Sequence, residues 1–292
     1  MQRLLQSIAM QTFKDYEIII TDDSPDESVK QIVDSFSELP ISYVKNDHSL
    51  GTPANWNRSV SMAKGEWIKL MHDDDWFANE QSLQKFADKA EQGKAFIFSG
   101  YETVFQSGER KTAHFPPFWR KRIIENPVTL LSTNVIGTPS VTLVSKRIHE
   151  AYDERMKWRV DIDYYIRMLK QERDFALIDE PLIRVGMSEE QVTNSCLNVP
   201  DVELPEGLLL LEKHGVRAVR NIKVYDAWWR ILRNTGVRKK EQLWQFAPGG
   251  HWPVVILKMV THQSLVPSRV LKIGLLSKAM MFLSWLTYNT ET

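Results

Sequence analysis

Cysteine is almost missing from this chain: Cys196 stands alone among 292 residues. One thiol closes no internal disulfide and offers no cysteine cluster for zinc, so a disulfide scaffold and a zinc ribbon are both excluded. A reducing compartment suits such a chain. Excess charge is missing too, with 37 Lys plus Arg against 37 Asp plus Glu. Any function that depends on charge must therefore be local. No apolar run reaches the roughly 20 residues that a spanning helix needs. The nearest, IGLLSKAMMFLSWLTY from Ile273 to Tyr288, is shorter and carries Lys278. Met1 leads straight into QRLLQSIAMQTF, without the basic and apolar regions of a secretory leader. Internal repeats, low-complexity tracts and a glycine-rich phosphate loop are also missing. The expectation is a soluble or surface-attached protein of one large domain, with room for an appendage.

What is present is a regular alternation. Leu4, Leu5, Ile8 and Ala9 recur at helical spacing and predict a helix over 2–12. YEIIITDDS reads as a buried strand whose far end opens into acids. Val29, Ile32, Val33 and Phe36 mark a second helix, with Ser24 or Asp26 placed to cap it. ISYVKN follows as a strand, LGTPANWNRSVSMAKG as a loop and helix, and EWIKLM as another strand. AFIFSGYETVF and SVTLVS read as strands, DIDYYIRMLKQ as a helix, and FALIDEPLIRVG closes the pattern. The fold class expected is α/β, a doubly wound mixed sheet. After about residue 200 the strand signals stop and tryptophans accumulate. In NIKVYDAWWRILRNTG, Ile222, Tyr225, Trp229 and Leu232 share a helical face, and Gly236 is placed to end the helix. The expected organisation is an α/β domain over 1–199 and a helical region over 200–292.

Two strand signals end in acids: Asp22 and Asp23 after EIIIT, and Asp73, Asp74 and Asp75 after WIKLMH. Like charges side by side repel, and nearby aromatics make that repulsion harder to screen. Ligands of open α/β sheets bind beyond the carboxyl ends of the strands, and right-handed connections bring both acidic ends to one edge. Five carboxylates there suggest a divalent cation, against the alternative of a solvated acidic turn. Oxygen ligands without cysteine favour Mg2+ or Mn2+ over zinc, and such ions are commonly shared with substrate phosphates.

The blocks LLQSIAMQTFKDYEIIITDDSPDES, LGTPANWNRSVSMAKGEWIKLMHDDDWF and DIDYYIRML resemble family 2 glycosyltransferases of the GT-A fold, in the family's order and spacing. The resemblance covers most of residues 1–195 and leaves the helical tail outside it. It implies transfer of a sugar from a nucleotide-sugar donor to an acceptor hydroxyl, with inversion, as in the synthesis of surface polysaccharide or glycolipid. It places Asp22 and Asp23 against the donor's base and ribose. Asp73, Asp74 and Asp75 fall on the family's metal-binding acidic motif, with Asp73 on the donor side, Asp74 the direct ligand and Asp75 beside it. His72 stands where many members have an acid, and reads equally as a packed histidine. Asn57 matches a donor-side asparagine and reads equally as a helix residue bonded to backbone. Gly137 and Ser140, and Gln191 and Thr193, fall in blocks that flank the acceptor pocket and the diphosphate. Members of the family also begin with a buried strand and a loop over the base, before the helix matched by QRLLQSIAMQTF. The expectation is that the native protein starts upstream of Met1, or that another segment fills that place in the sheet.

The chemistry implied needs a base on the acceptor side. Asp161 and Asp163 are two apart, so only one of them can face the donor. The resemblance favours Asp161 as that base, while its position also suits a helix cap. Asp163 and Arg167, four apart, are expected to pair on the helix surface. Two other classes compete: a nucleotidyltransferase, which would carry a basic glycine-rich loop, and a non-catalytic sugar-nucleotide binder. In the tail, Arg269, Lys272 and Lys278 accompany Leu271, Leu275, Leu276, Phe282 and Trp285. That combination suits peripheral contact with a cytoplasmic membrane face, and equally a helix packed on the catalytic domain.

Overall fold

A computed structural model describes residues 1–187 and 195–290. The chain divides into two units, Met1–Pro127 with Val135–Gln191 and Val128–Asn134 with Val192–Thr292.

The first unit opens with Gln2–Ala9 (α1), which buries Leu4, Leu5 and Ile8 as the periodicity predicts. Ile18–Asp22 (β1), Ser28–Asp34 (α2), Ile41–Lys45 (β2) and Ala54–Met62 (α3) follow. Next come Trp67–Ile68 (β3), Trp76–Phe77 (β4), Ser82–Ala90 (α4), Phe96–Val104 (β5) and Arg110–Ala113 (β6). Phe118–Glu125 (α5), Thr142–Ser145 (β7), Val160–Gln171 (α6) and Ala176–Gly186 (β8) complete the unit.

The main sheet runs β3-β7-β5-β8-β4, with β6 paired to β5. Its centre is β5, buried along Phe96–Gly100 because both faces are covered, which is why AFIFSG is continuously apolar. Phe98 lies 5.2 Å from Phe115 and 5.0 Å from Phe175, ring centre to ring centre. β8 runs parallel to β5, whereas β7 is antiparallel to β5, and β4 to β8. Their register breaks at Gly100, opposite Pro181, which has no amide hydrogen to give the ladder.

β1 and β2 form a separate parallel pair. The structure has two sheets, and among the described residues no strand lies between β1 and β3. The strand expected over EWIKLM shortens to Trp67–Ile68, because beyond Ile68 the chain leaves the ladder with β7 and Lys69 turns to the carbonyl of Ser140. α1 is pinned to the segment after β4 by one buried side chain. Gln11 donates to the carbonyls of Ser7 and Asn79, both at 2.9 Å, and accepts from the Leu83 amide at 2.8 Å.

The second unit is helical: Pro200–His214 (α7), Ile222–Asn234 (α8), Lys240–Phe246 (α9), Val254–Ser264 (α10), Ser268–Leu271 (α11) and Gly274–Thr290 (α12). Tyr225, Trp229 and Leu232 of α8 are buried, and Gly236 follows at φ 74°, as a helix end requires. Gly207 of α7 is needed for contact, since a Cβ there would come within 2.8 Å of the Trp228 ring. No helix among the described residues is long and apolar enough to cross a membrane.

Candidate active site

Between β3 and β4 the chain makes a loop carrying His72, Asp73, Asp74 and Asp75. Four fastenings fix its shape. Ser140 accepts from the His72 amide at 2.9 Å, while its carbonyl accepts from Lys69. The Asp75 amide donates to the His72 carbonyl at 3.2 Å. Gly186, at the end of β8, donates its amide to Asp75 Oδ1 at 3.1 Å. The loop passes so close to Gly186 that a Cβ there would collide with the Asp74 carbonyl oxygen. On the other side, the His72 ring stacks on Trp56 of α3 with centres 5.0 Å apart.

This folding gathers one atom each from His72, Asp74 and Asp75 within 4.8 Å of one another. Asp75 is 1% exposed, and its Oδ2, like Nε2 of His72, is buried without a hydrogen-bond partner. Burial pushes the Asp75 carboxyl above the usual carboxylate range. His72, Ser140 and Gly186 oppose that shift, and Asp74 adds to it. Burial likewise drives the Lys69 ammonium down to about 7, against the pull of Asp75. A buried carboxylate oxygen without a hydrogen bond, an imidazole whose Nδ1 lies 3.7 Å from it, and a second carboxylate match the donor set of a small divalent cation. The group sets a ring nitrogen of His72 beside the oxygens of two carboxylates. Asp73 is exposed, and its carbonyl accepts from the amino group of Met1.

Asp22 and Asp23 stand at the end of β1, each already engaged. Asp22 accepts from the Ser24 amide at 2.8 Å, Tyr43 Oη at 2.7 Å and Lys45 Nζ at 3.1 Å. Asp23 accepts from the side chain of Asn46 and from the amides of Leu50 and Gly51, at 3.1 and 2.8 Å. Burial raises both carboxyls, and these donors outweigh it, so each is held below its ordinary value. The repulsion expected among five acids is thus relieved locally at this end, and concentrates on the other three.

Three consecutive residues of α3 tie the pieces together. Asn55 exchanges hydrogen bonds with Thr21 and accepts from Asn46. Trp56 stacks on His72 and meets Tyr152 edge-on at 5.3 Å. Asn57 accepts from the Tyr152 amide at 2.8 Å and donates to the Tyr152 carbonyl and to Glu154, both at 2.9 Å. Its amide therefore splices α3 to the loop before α6.

Asp161 lies half-buried in the first turn of α6 and accepts from the Ile162 amide at 2.7 Å. The cap position is Arg159, so Asp161 is not the helix cap. Its charge reaches two buried phenols: burial raises the Tyr152 and Tyr165 hydroxyls, and Asp161 raises them further. Tyr152 in turn abuts Trp56, which carries His72. Asp163 is fully buried and bonds Arg167 at 2.8 Å; Arg167 also holds Glu150 at 2.7 Å. The expected surface pair is thus an interior one, because α6 is buried around most of its circumference.

Gly137, at φ 117°, gives its carbonyl to Tyr165 Oη at 3.1 Å and lies against Tyr101. Ser140 braces the acidic loop. Gln191 and Thr193 lie outside the described residues. Trp56, Lys69 and Gly186 escaped the sequence reading. Only Gly186 left a signal there, as a glycine closing a long strand.

The sequence model of Glycosyl transferase family 2 matches residues 1–153. An uncharacterized glycosyltransferase of Methanocaldococcus jannaschii is 26% identical over 62% of this chain and 63% of its own length. The putative colanic acid biosynthesis glycosyl transferase WcaA of Escherichia coli is 25% identical over 66% of this chain and 70% of its own. A GalNAc(5)-diNAcBac-PP-undecaprenol beta-1,3-glucosyltransferase of Campylobacter jejuni is 31% identical, over 34% of this chain and 32% of its own. The chain therefore spans just under two thirds of the first relative's length. Among solved structures, S. aureus TarS in complex with UDP-GlcNAc superposes with a TM-score of 0.58 at 15% identity, covering 99% of this chain and 87% of that one. That likeness shows the fold, the GT-A architecture expected of the sequence. With the family's model matched across its first half, the chain belongs to Glycosyl transferase family 2.

Proposed function

We propose that this chain moves a sugar from a nucleotide-sugar donor to an acceptor hydroxyl with inversion, using a divalent cation held by His72, Asp74 and Asp75. The observation that carries it is the gathering of one possible ligand atom each from His72, Asp74 and Asp75 within 4.8 Å of one another, with Asp75 Oδ2 buried and free of any hydrogen bond. The imidazole in the set turns the choice of ion from Mg2+ toward Mn2+. Such an ion, when bound, offsets the negative charge of the departing nucleoside diphosphate.

The chain's own residues supply the rest. Asp22 and Asp23, held below their ordinary range by their donors, are assigned to the side of the base and ribose. Asp73 is exposed on the same loop, on the donor side. Asp161 takes the proton of the acceptor hydroxyl; Asp163 is unsuited to that role because Arg167 occupies it. The names of the relatives support a glycan acceptor, and for the Campylobacter enzyme a lipid-linked one. An acceptor of that kind sits in a bilayer, and we place the enzyme at a membrane face with the helical unit in contact.

The test is calorimetric titration with a panel of UDP-, GDP- and dTDP-sugars, with and without MnCl2. At least one donor should bind in manganese and be slowly hydrolysed without acceptor, which a pure binding module would not do. Failure of every donor to bind in manganese would refute the proposal.

A further inference from the structure

We infer that the outer face of α12 is a docking surface for an anionic lipid bilayer. This names the surface for the membrane-face reading above; it rests on that reading for its purpose but not for its geometry. The helix GLLSKAMMFLSWLTYNT repeats apolar residues at Leu275, Ala279, Phe282, Leu283 and Leu286, the spacing of one helical stripe. Such a stripe ordinarily turns to the core. Here it turns to solvent: Leu275 is 82% exposed, Leu283 64% and Phe282 44%. The buried side carries Ser277, Met281 and Ser284 instead.

Hydrogen bonds hold the helix in that rotation. Ser277 accepts from Trp229 Nε1 at 3.1 Å and from Arg233 at 3.2 Å. Ser284 meets Tyr225 Oη and His262 Nδ1, both at 2.6 Å. Rolling the leucines inward would strip partners from Trp229 and Tyr225, both buried. The apolar face is therefore fixed outward by its own polar side, and Ile273, immediately before the helix, is exposed as well.

Charge selects the occupant. From Gln242 to Thr290 the sequence has no Asp or Glu, whereas Lys258, Arg269, Lys272 and Lys278 are present. Arg269, Lys272 and Lys278 are exposed and have no acidic partner among the described residues. A second copy laid on this face would set cations against cations. An anionic bilayer accepts the leucines in its interface and the lysines at its phosphates.

The test is co-sedimentation of the full chain with vesicles of phosphatidylcholine alone, or with about one third phosphatidylglycerol. The chain should pellet with the anionic vesicles at low salt and be released as salt rises. Lys272→Ala and Lys278→Ala should each weaken binding about fivefold. Leu275→Glu with Leu283→Glu should abolish it while thermal unfolding is unchanged, since both side chains are already in water. Failure to pellet at low salt, or unchanged binding in the leucine variant, overturns the inference. So does a dimer that the leucine variant converts to monomer without any vesicle binding. No donor or acceptor is present, so a chain that binds donor but not vesicles refutes this inference and leaves the catalytic proposal standing.

Discussion

Replacing Asp75 by asparagine should stabilise the cation-free protein and weaken its response to manganese. The side chain is 1% exposed, its Oδ2 accepts no hydrogen bond, and burial together with the charge of Asp74 disfavours its ionised form against the pull of His72, whose Nδ1 lies 3.7 Å away. Asparagine keeps the shape, and its carbonyl oxygen can still accept from Gly186. Leaving a buried polar group unsatisfied costs about 1–3 kcal/mol, and more when it is charged. Removing the charge should return about that much, a rise in Tm of about 2–4 °C per kcal/mol for a chain of this size. The pH dependence follows from the raised carboxyl. Stability that depends on a protonated Asp75 is full below its unfolded pKa and lost as pH rises through the higher folded value. The advantage of the variant should therefore vanish in acid and grow as pH climbs through that window. Manganese at about 100 times its dissociation constant should stabilise the parent by about 2.7 kcal/mol and the variant far less. Differential scanning fluorimetry of both proteins, from acid to neutral pH with and without MnCl2, reads every part of this. A variant no more stable than the parent without metal, yet equally stabilised by manganese, would show that Asp75 is neither strained nor a ligand.

Asp74→Ala should cut donor binding in manganese at least tenfold, by the order expected for losing a charged ligand, while cation-free Tm holds or rises; unchanged donor affinity in calorimetry excludes it as a ligand. Asp161→Asn should remove transfer yet leave donor binding near parental, because the amide keeps the shape without the basicity; turnover within a few-fold of parent would place the base elsewhere. Gly186→Ala should displace the Asp74 carbonyl, lowering Tm by an amount matching about 1–3 kcal/mol and blunting the manganese response; a normal response would mean the loop shape does not matter.

Much of the site was legible in the sequence, because its signals are local. Apolar runs ending in acids point to Asp22 and Asp23, which stand at the end of β1, and to the 73–75 cluster, which lies on the loop well beyond Ile68 rather than at a strand end. The periodicity of DIDYYIRMLKQ put Asp161 and Asp163 on a helix. What was hidden depends on contacts distant in sequence. The pairing of Asp163 with Arg167 is legible from their spacing, but nothing around them shows that Glu150 joins the pair or that it lies in the interior. Nothing around Ser140 shows that it braces a loop near residue 72, or that Trp56 stacks on His72. Short strands such as Trp76–Phe77 escaped because two residues carry no period. The tail misleads in a different way: its apolar stripe implies a buried face, and only the serine bonds reveal which side turns inward.

The separate pairing of β1 with β2 means that the acids at the end of β1 do not share a backbone ladder with the acidic loop. The pair is joined to that loop through side chains, above all Asn55 and Trp56. A two-stranded pair has little stability of its own, so its amides can open without breaking a bond of the main sheet. The half proposed to meet the nucleoside can thus loosen while the half proposed to hold the cation stays closed. A ligand spanning both would clamp them, spending part of its binding energy on that ordering. Hydrogen exchange over Ile18–Asp22 and Ile41–Lys45 would then slow most when nucleotide and metal are present together, the ordering adding to the cooperativity of the two ligands.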